Sequence, residues 1–174
     1  MNRWVISDLH LNHKNIISYC SRPFSSVEEM NETIIQNWNK VVRDNDEVFC
    51  LGDFALCGKD KIIEFGRRLR GRKRLILGNH DGASLQTYRD AGFDMVVKYP
   101  IIVDDYFIMS HMPQNIQKGG IYANIFGHIH TNPEFKDVSP QSFCACVERI
   151  NYTPIELDEI IQRMEACHDE EERN

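Results

Sequence analysis

Short apolar runs alternate with amphipathic stretches in the first half of the chain. Arg3 to Ser7 is an apolar run closed by Asp8, the pattern of a buried strand whose carboxyl end presents Asp8 and His10. Val27, Met30, Ile34, Trp38 and Val41 recur at helical spacing behind Ser26-Val27-Glu28-Glu29, a capping-box sequence, which predicts an amphipathic helix covering a sheet. Glu47 to Leu51 reads as a second strand ending at Gly52-Asp53, and Lys59 to Leu69 as a helix stopped by Gly71. Arg74 to Leu77 makes a third strand that ends at Gly78-Asn79-His80-Asp81, and a short helix is expected from Ser84 to Ala91.

Beyond Gly92 the pattern changes. Met95 to Lys98, Ile101 to Val103, Tyr106 to Ser110, Tyr122 to Phe126 and Ser142 to Ile150 are strand patterns with few helices between them, which predicts a second, more antiparallel sheet. Thr153-Pro154-Ile155-Glu156 supplies a cap, a proline for the first helical position and a closing glutamate, so the last helix is expected to start there. That helix fades into the acidic residues Asp169 to Arg173, and residues from about 168 to 174 are expected to be disordered. No internal repeat, low-complexity tract or linker interrupts the chain. The order of elements predicts an α/β fold of four layers, an α/β/β/α sandwich with two mixed sheets, built as one domain over residues 1–174.

Composition narrows the function classes only a little. With 42% hydrophobic and 26% charged residues the chain is that of a folded protein, neither fibrous nor disordered. No run approaches the roughly 18 to 20 apolar residues that a membrane span needs, so no membrane role is expected and the protein is read as cytoplasmic. The six cysteines stand alone or in apolar runs, and reduced thiols are expected. Cys144 and Cys146 share the spacing of a chelating pair, but Phe143, Ala145 and Val147 around them favour a core position. A net charge of −6 weighs against general nucleic-acid binding. The one dense basic run, Arg67 to Arg74, spans a helix carboxyl end, where cations oppose the negative pole of the helix dipole; nucleic acid is not favoured as a partner.

The unusual chemistry is concentrated in five short segments: Asp8-Leu9-His10, Gly52-Asp53, Gly78-Asn79-His80-Asp81, Ser110-His111 and Gly127-His128-Ile129-His130. They hold five of the chain's seven histidines. Three follow predicted strands directly, and in α/β sheets ligands collect at strand carboxyl ends. The i, i+2 spacing of Asp8/His10 and of His128/His130 would put each pair on one face of an extended segment, as a chelating pair requires. Imidazole, carboxylate and amide oxygen form a ligand set suited to manganese, iron or zinc, and the absence of a nearby CxxC argues against a structural zinc cage.

In this order the five segments, spread from Asp8 to His130, resemble the calcineurin-like metallophosphoesterase superfamily, which is recognised by DxH, GD, GNH followed by an acid, a lone histidine and GHxH. The stretch after Ile150 is similar to that of small bacterial and phage members. The resemblance implies a phosphoesterase with two divalent metal ions, manganese first, with iron or zinc as alternatives. Asp8, His10, Asp53 and His130 would hold one ion and Asp53, Asn79, His111 and His128 the other, with Asp53 as the bridge. His80 is then expected to protonate the leaving oxygen or stabilise phosphoryl charge, and Asp81 to orient it.

Two residues nearby are open either way. His13 could contact a substrate phosphate or simply stand at a helix entry. Arg22 could clamp a phosphate oxygen through its guanidinium fork or be an ordinary surface arginine. The expected partner is a phosphate ester, a nucleotide among the options. Hydrolysis of mono- or diesters leads, a nuclease or cyclic-nucleotide phosphodiesterase is the alternative, and a non-catalytic scaffold on the same fold is the remaining reading. Neither the substrate nor the oligomeric state is legible at this level.

Overall fold

A computed structural model describes residues 1–173 of the chain. In chain order the elements are β1 (Arg3–Ile6), α1 (Ile16–Tyr19), α2 (Val27–Val41), β2 (Glu47–Cys50), α3 (Lys59–Arg68), β3 (Arg72–Ile76), α4 (Leu85–Asp90), β4 (Phe93–Val97), β5 (Ile101–Val103), β6 (Phe107–Ser110), β7 (Ala123–Phe126), β8 (Val138–Ser139), β9 (Ser142–Cys144), a 3-10 turn (Val147–Arg149), β10 (Ile155–Glu156) and α5 (Leu157–Arg173). They form two five-stranded sheets, ordered β10-β1-β2-β3-β4 and β5-β6-β7-β9-β8. The α/β class and the two mixed sheets are as the sequence predicts. The helices are unevenly shared: α4 packs on β4 and against α3, whereas α5 touches β1 and β10 of one sheet and β8 and β9 of the other.

In the first sheet β1, β2, β3 and β4 run parallel. All four residues of β2 are buried, including Glu47, as expected of a central strand covered on both faces. Helix α2 starts where Ser26 Oγ accepts the Glu29 N–H at 3.1 Å. Its box is displaced by one residue, because the Glu29 carboxylate accepts from the Ser25 N–H and Oγ instead of returning to Ser26. The apolar face of α2 buries Met30, Ile34, Ile35 and Trp38, and the Trp38 indole donates to the Arg70 carbonyl at 2.9 Å. That bond fastens α2 to the turn between α3 and β3.

Five expectations are corrected. Phe93–Val97 belongs to the first sheet, not the second, because α4 returns the chain as a parallel crossover that pairs it with β3. The second sheet is only half antiparallel: β5/β6 and β8/β9 are antiparallel, while β6/β7 and β7/β9 are parallel. The Ser142–Ile150 run is strand only to Cys144 and then turns. At the carboxyl end, Ile155 and Glu156 pair with Val5 and Trp4 instead of opening a helix, and α5 begins at Leu157. The exposed backbone of β1 takes a partner there, and this outweighs the local capping pattern around Thr153. Helix α5 continues to Arg173, so the acidic stretch expected to be disordered is helical that far; Asn174 lies outside the described residues.

The sheets meet at their carboxyl ends. Ser7 donates its N–H to the Ala145 carbonyl at 2.9 Å and accepts from the Val147 N–H at 3.1 Å, which joins the end of β1 to the segment after β9. One core cluster draws from both sheets, with Val5, Phe49 and Leu75 beside Met109, Ile125 and Phe143. Among the described residues no helix is long and apolar enough to cross a membrane.

Trp38 is both fully buried and hydrogen-bonded. Trp38→Ala is therefore expected to lower the unfolding free energy by about 3–5 kcal/mol, read from denaturant titration. A loss below about 1 kcal/mol would show that α2 is not fastened through this residue.

Candidate metal centre

All five motif segments sit directly after strands: Asp8 beyond β1, Asp53 beyond β2, Asn79 beyond β3, His111 beyond β6 and His128 beyond β7. For the loops to converge, three glycines must lack a side chain: at Gly52, whose φ is +99°, a Cβ would lie 2.6 Å from Gly78 N and 2.7 Å from His111 Nδ1. A Cβ on Gly127 would overlap Ser7 Oγ and Asp8 Oδ2, and one on Gly78 would overlap Asp53 Oδ1 and lie 2.5 Å from its backbone nitrogen. The glycines of these motifs thus permit the approach, and the acids and histidines beside them occupy its centre.

Two groups of side chains form around one carboxylate. In the first, His130 Nε2 lies 3.7 Å and His10 Nε2 4.0 Å from Asp8 Oδ1. In the second, His111 Nε2 lies 2.9 Å from Asn79 Oδ1 and 3.2 Å from His128 Nδ1. Asp53 stands between them, its Oδ2 at 3.4 Å from His10 Nε2 and 3.5 Å from His111 Nε2, while its Oδ1 accepts the His80 N–H at 2.8 Å. Asp8, His10 and Asp53 are essentially buried, whereas Asn79 and His80 are exposed at the mouth.

The donor set fits a cation on two counts. Asp8 Oδ1 and His10 Nε2 are buried without a hydrogen-bond partner, a costly arrangement that a metal ion would relieve. His111 donates from Nδ1 to the Leu51 carbonyl at 2.8 Å, which turns its Nε2 toward Asn79 Oδ1 at 2.9 Å, so that a ring nitrogen and an amide oxygen, both metal-ligating atoms, converge on one point. Asp8, His10 and His130 form one cluster with ligand spacing, Asp8, Asp53 and His111 a second, and Cys20, His130 and Glu148 a third.

In the metal-free protein burial raises the Asp8 carboxyl above its usual range. Burial, reinforced by the neighbouring cationic positions of His130 and Arg22, presses His10 down to about 2, so its ring is neutral and able to ligate. Burial also works against protonated His130, but hydrogen bonds with Cys20 and Glu148 and the charge of Asp8 outweigh it and raise the group to about 10. A cation at this point would take the proton's place between Asp8 and His130.

The backbone here is strained. Asp8, His10, Asp53, His128 and His130 all have φ between 46° and 70°, the left-handed region that non-glycine residues seldom adopt. The pairing of Asp8 with His10 and the placement of His128 near His130 therefore arise from left-handed kinks, not from the extended alternation that the i, i+2 spacing suggests. Several bonds hold the kinks: Asp8 N–H to Gly52 O at 3.0 Å, His10 N–H to Asp53 O at 2.9 Å, and His128 N–H to Asp8 Oδ2 at 2.9 Å.

Two residues are placed differently from expectation. Asp81 does not orient His80: its Oδ2 accepts the N–H groups of Asp53 and Gly78 at 2.7 and 2.8 Å, and its Oδ1 accepts from Phe54 N–H and the Tyr88 hydroxyl. Buried and facing inward, it clasps two loops together. Arg22 does not reach toward solvent to clamp phosphate. Its guanidinium is buried, donating to the Asp8 and Leu9 carbonyls and pairing with Glu148 at 2.7 Å. His13, half-buried, does come to the site, with its ring centroid 5.4 Å from that of His10 and 6.3 Å from that of His80.

Glu148 was missed by sequence reasoning. It accepts from His130 Nδ1 at 3.0 Å and so fixes that ring with Nε2 toward Asp8. Burial disfavours its charge, yet His130 and Arg22 hold its carboxyl below the usual range. The available signal was a single carboxylate inside the apolar run Phe143 to Ile150.

Comparison with known proteins gives a consistent grouping. A family model described as calcineurin-like phosphoesterase matches residues 1–137. A Methanocaldococcus jannaschii protein described as uncharacterised is 40% identical over 171 residues, covering 93% of this chain and 90% of its own length. The Gene 66 protein of Mycobacterium phage L5 is 42% identical over 84 residues, 47% of this chain and 40% of the phage protein. Among solved structures, a protein of unknown function from Aquifex aeolicus superposes with a TM-score of 0.72 at 28% identity, covering 92% of this chain and 98% of that one. Pseudomonas putida nuclease MPE shares the fold at a TM-score of 0.51 and 20% identity, over 74% of this chain and 61% of the nuclease.

Because Glu148 acts on His130 through one hydrogen bond, Glu148→Gln is expected to weaken manganese binding about 10- to 100-fold by isothermal titration, with the circular dichroism spectrum retained. Wild-type affinity in a folded variant would remove this role from Glu148.

Proposed function

Because this chain belongs to the calcineurin-like phosphoesterase family, we propose that it hydrolyses phosphate esters with two divalent metal ions, manganese first and iron or zinc as alternatives. The observation that carries this reading is the position of Asp53, whose Oδ2 lies within 3.5 Å of both His10 and His111, between two groups of metal-ligating atoms. Asp8, His10, Asp53 and His130 would hold one ion, and Asp53, Asn79, His111 and His128 the other. When bound, such a pair supplies Lewis acidity to the phosphoryl oxygens and brings the pKa of a water toward neutrality.

The chain's own residues carry the remaining roles. The water oxygen forms a bond to phosphorus as the bond to the leaving oxygen breaks, and that oxygen needs a proton. His80 is assigned this transfer: it is exposed at the mouth, its N–H is anchored on Asp53 Oδ1, and its ring stands edge-on to His10 at 5.3 Å. Asp81 serves it indirectly, by fixing the loop on which it stands. His13 faces the same opening, with its buried Nδ1 unpartnered, and is assigned to a substrate oxygen. We treat both sheets as one domain over residues 1–174 and place the protein in the cytoplasm, in keeping with six free cysteines.

Phosphodiesters are the favoured substrates within this class. The support is the shared fold with a nuclease and a site whose Asn79 and His80 stand open to solvent, so that a chain on either side of the phosphorus can be accommodated.

Chelator-treated protein is expected to be inactive on bis(p-nitrophenyl) phosphate and p-nitrophenyl phosphate and to recover with added manganese; full activity in chelator overturns the metal mechanism. His80→Ala should lose about a hundredfold or more in turnover on esters with alkoxide leaving groups, and much less on p-nitrophenyl esters, whose leaving group needs no proton. Equal losses on the two would remove the proton-donor assignment.

A further inference from the structure

A cleft of about 720 Å³ opens beside His128, within the size range of small-molecule sites. Its walls include Met112, Gln114, His128, Ile129, Asn132 and Phe135. His128 lines the cleft and also belongs to the second group of ligating atoms, so a group that fills the cleft lies beside the candidate metal centre. Resting on the hydrolase reading above, we propose that this cleft seats a nucleobase, and that the substrates are nucleoside phosphate esters.

Three features point to that chemistry. First, no Asp, Glu, Lys or Arg lines the cleft among the described residues, so it is not shaped for a second phosphate, a sugar acid or a cationic headgroup. Second, it carries apolar side chains for a ring to lie against: Met112 and Phe135 are 48% and 38% exposed, and the buried Ile129 lines the cleft with them. Third, hydrogen-bonding groups stand beside that surface. Asn132 Oδ1 accepts the Glu134 N–H, leaving its amide donors uncommitted, and Gln114 donates its amide to the Met112 carbonyl, leaving its oxygen uncommitted. An alkyl chain would strand those groups, whereas a planar base with donors and acceptors on its edge uses both the surface and the amides.

The walls are built and not merely exposed. On one side buried Asn124 accepts the Gln114 N–H at 2.7 Å and donates to Ser110 Oγ, which in turn donates to the Met112 carbonyl. On the other, one guanidinium gathers the loop after His130: Arg149 donates to the carbonyls of His130, Asn132 and Phe135 and pairs with Asp137. The Phe135 ring is seated edge-on to Phe126 at 6.4 Å. Both walls are thus set before a ligand arrives, which lowers the cost of binding one.

The test compares two manganese-supported substrates with the same leaving group and charge: thymidine 5′-(p-nitrophenyl phosphate) and methyl p-nitrophenyl phosphate. The thymidine ester is expected to have a kcat/KM about tenfold higher or more, and Phe135→Ala and Asn132→Ala should each bring the ratio toward one. In parallel, calorimetry should show thymidine 5′-monophosphate binding about tenfold more tightly than 2-deoxyribose 5-phosphate, a difference also reduced in both variants. Equal rates and equal affinities overturn the nucleobase site and leave the hydrolase standing. Failure to cleave either ester, with bis(p-nitrophenyl) phosphate and p-nitrophenyl phosphate also intact, overturns the hydrolase, and the binding comparison then decides the cleft alone: a preference for the base-bearing phosphate that falls in both variants supports it, and equal binding overturns it.

Discussion

A single buried carboxylate fixes the geometry on which the rest depends. Asp81 takes N–H groups from Gly78, Asp53 and Phe54 and the hydroxyl of Tyr88, and so binds the loop after β2 to the loop after β3. Asp53 can point its Oδ2 between two histidines only because its own backbone is held from behind. Burial raises the Asp81 carboxyl, while the three backbone donors favour its charged form. Charge on Asp81 is needed for a clasp of this kind, since an ionised carboxylate accepts on both oxygens.

The site concentrates what the rest of the protein avoids. It gathers buried acids, clustered histidines and five left-handed non-glycine residues, each unfavourable alone. What tolerates them is the frame: a parallel sheet whose β1, β2 and β3 end in the site loops, three glycines that let loops touch, and backbone N–H groups that bond from one loop to another. Ser7 illustrates the coupling. It closes β1 and is bonded to Ala145 and Val147 of the segment after β9, so the residue before Asp8 also fixes where Glu148 begins its turn.

Much of this was legible in the chain. The strands before the motifs and the α2 face follow from apolar runs ending in glycine, acid and histidine, whereas the grouping of Asp8, His10, Asp53, Asn79, His111, His128 and His130 is what the family resemblance implies. What escaped was nonlocal. Ile155–Glu156 carries a helix-start pattern, yet becomes a strand because β1 has an open edge, a fact that resides in Trp4 and Val5. The role of Asp81 was misread because adjacency to His80 in sequence says nothing of side-chain direction. Arg22 and Glu148, separated by 126 positions, form a pair that no local pattern could announce, and each looked ordinary on its own.

The two groups around Asp53 are braced by different means, and this bears on the proposed metal pair. His130 rests on a carboxylate, Glu148, itself held by Arg22, whereas His111 rests on a neutral carbonyl, that of Leu51. The first group contains Asp8 and shares Asp53; the second shares Asp53 but otherwise offers only neutral atoms from Asn79, His111 and His128. A carboxylate behind an imidazole raises its basicity, and a second acid in the set adds Coulombic attraction that burial strengthens. The position built on Asp8 would therefore hold its ion more firmly than the one built on Asn79. Asn79 would also be the exposed ligand of the set, on the side where His128 opens into the neutral cleft. The weaker position would thus face the proposed substrate, where exchange of ligands is useful, and the stronger one would lie deeper, among the buried Asp8 and His10 and the strained loops that carry them.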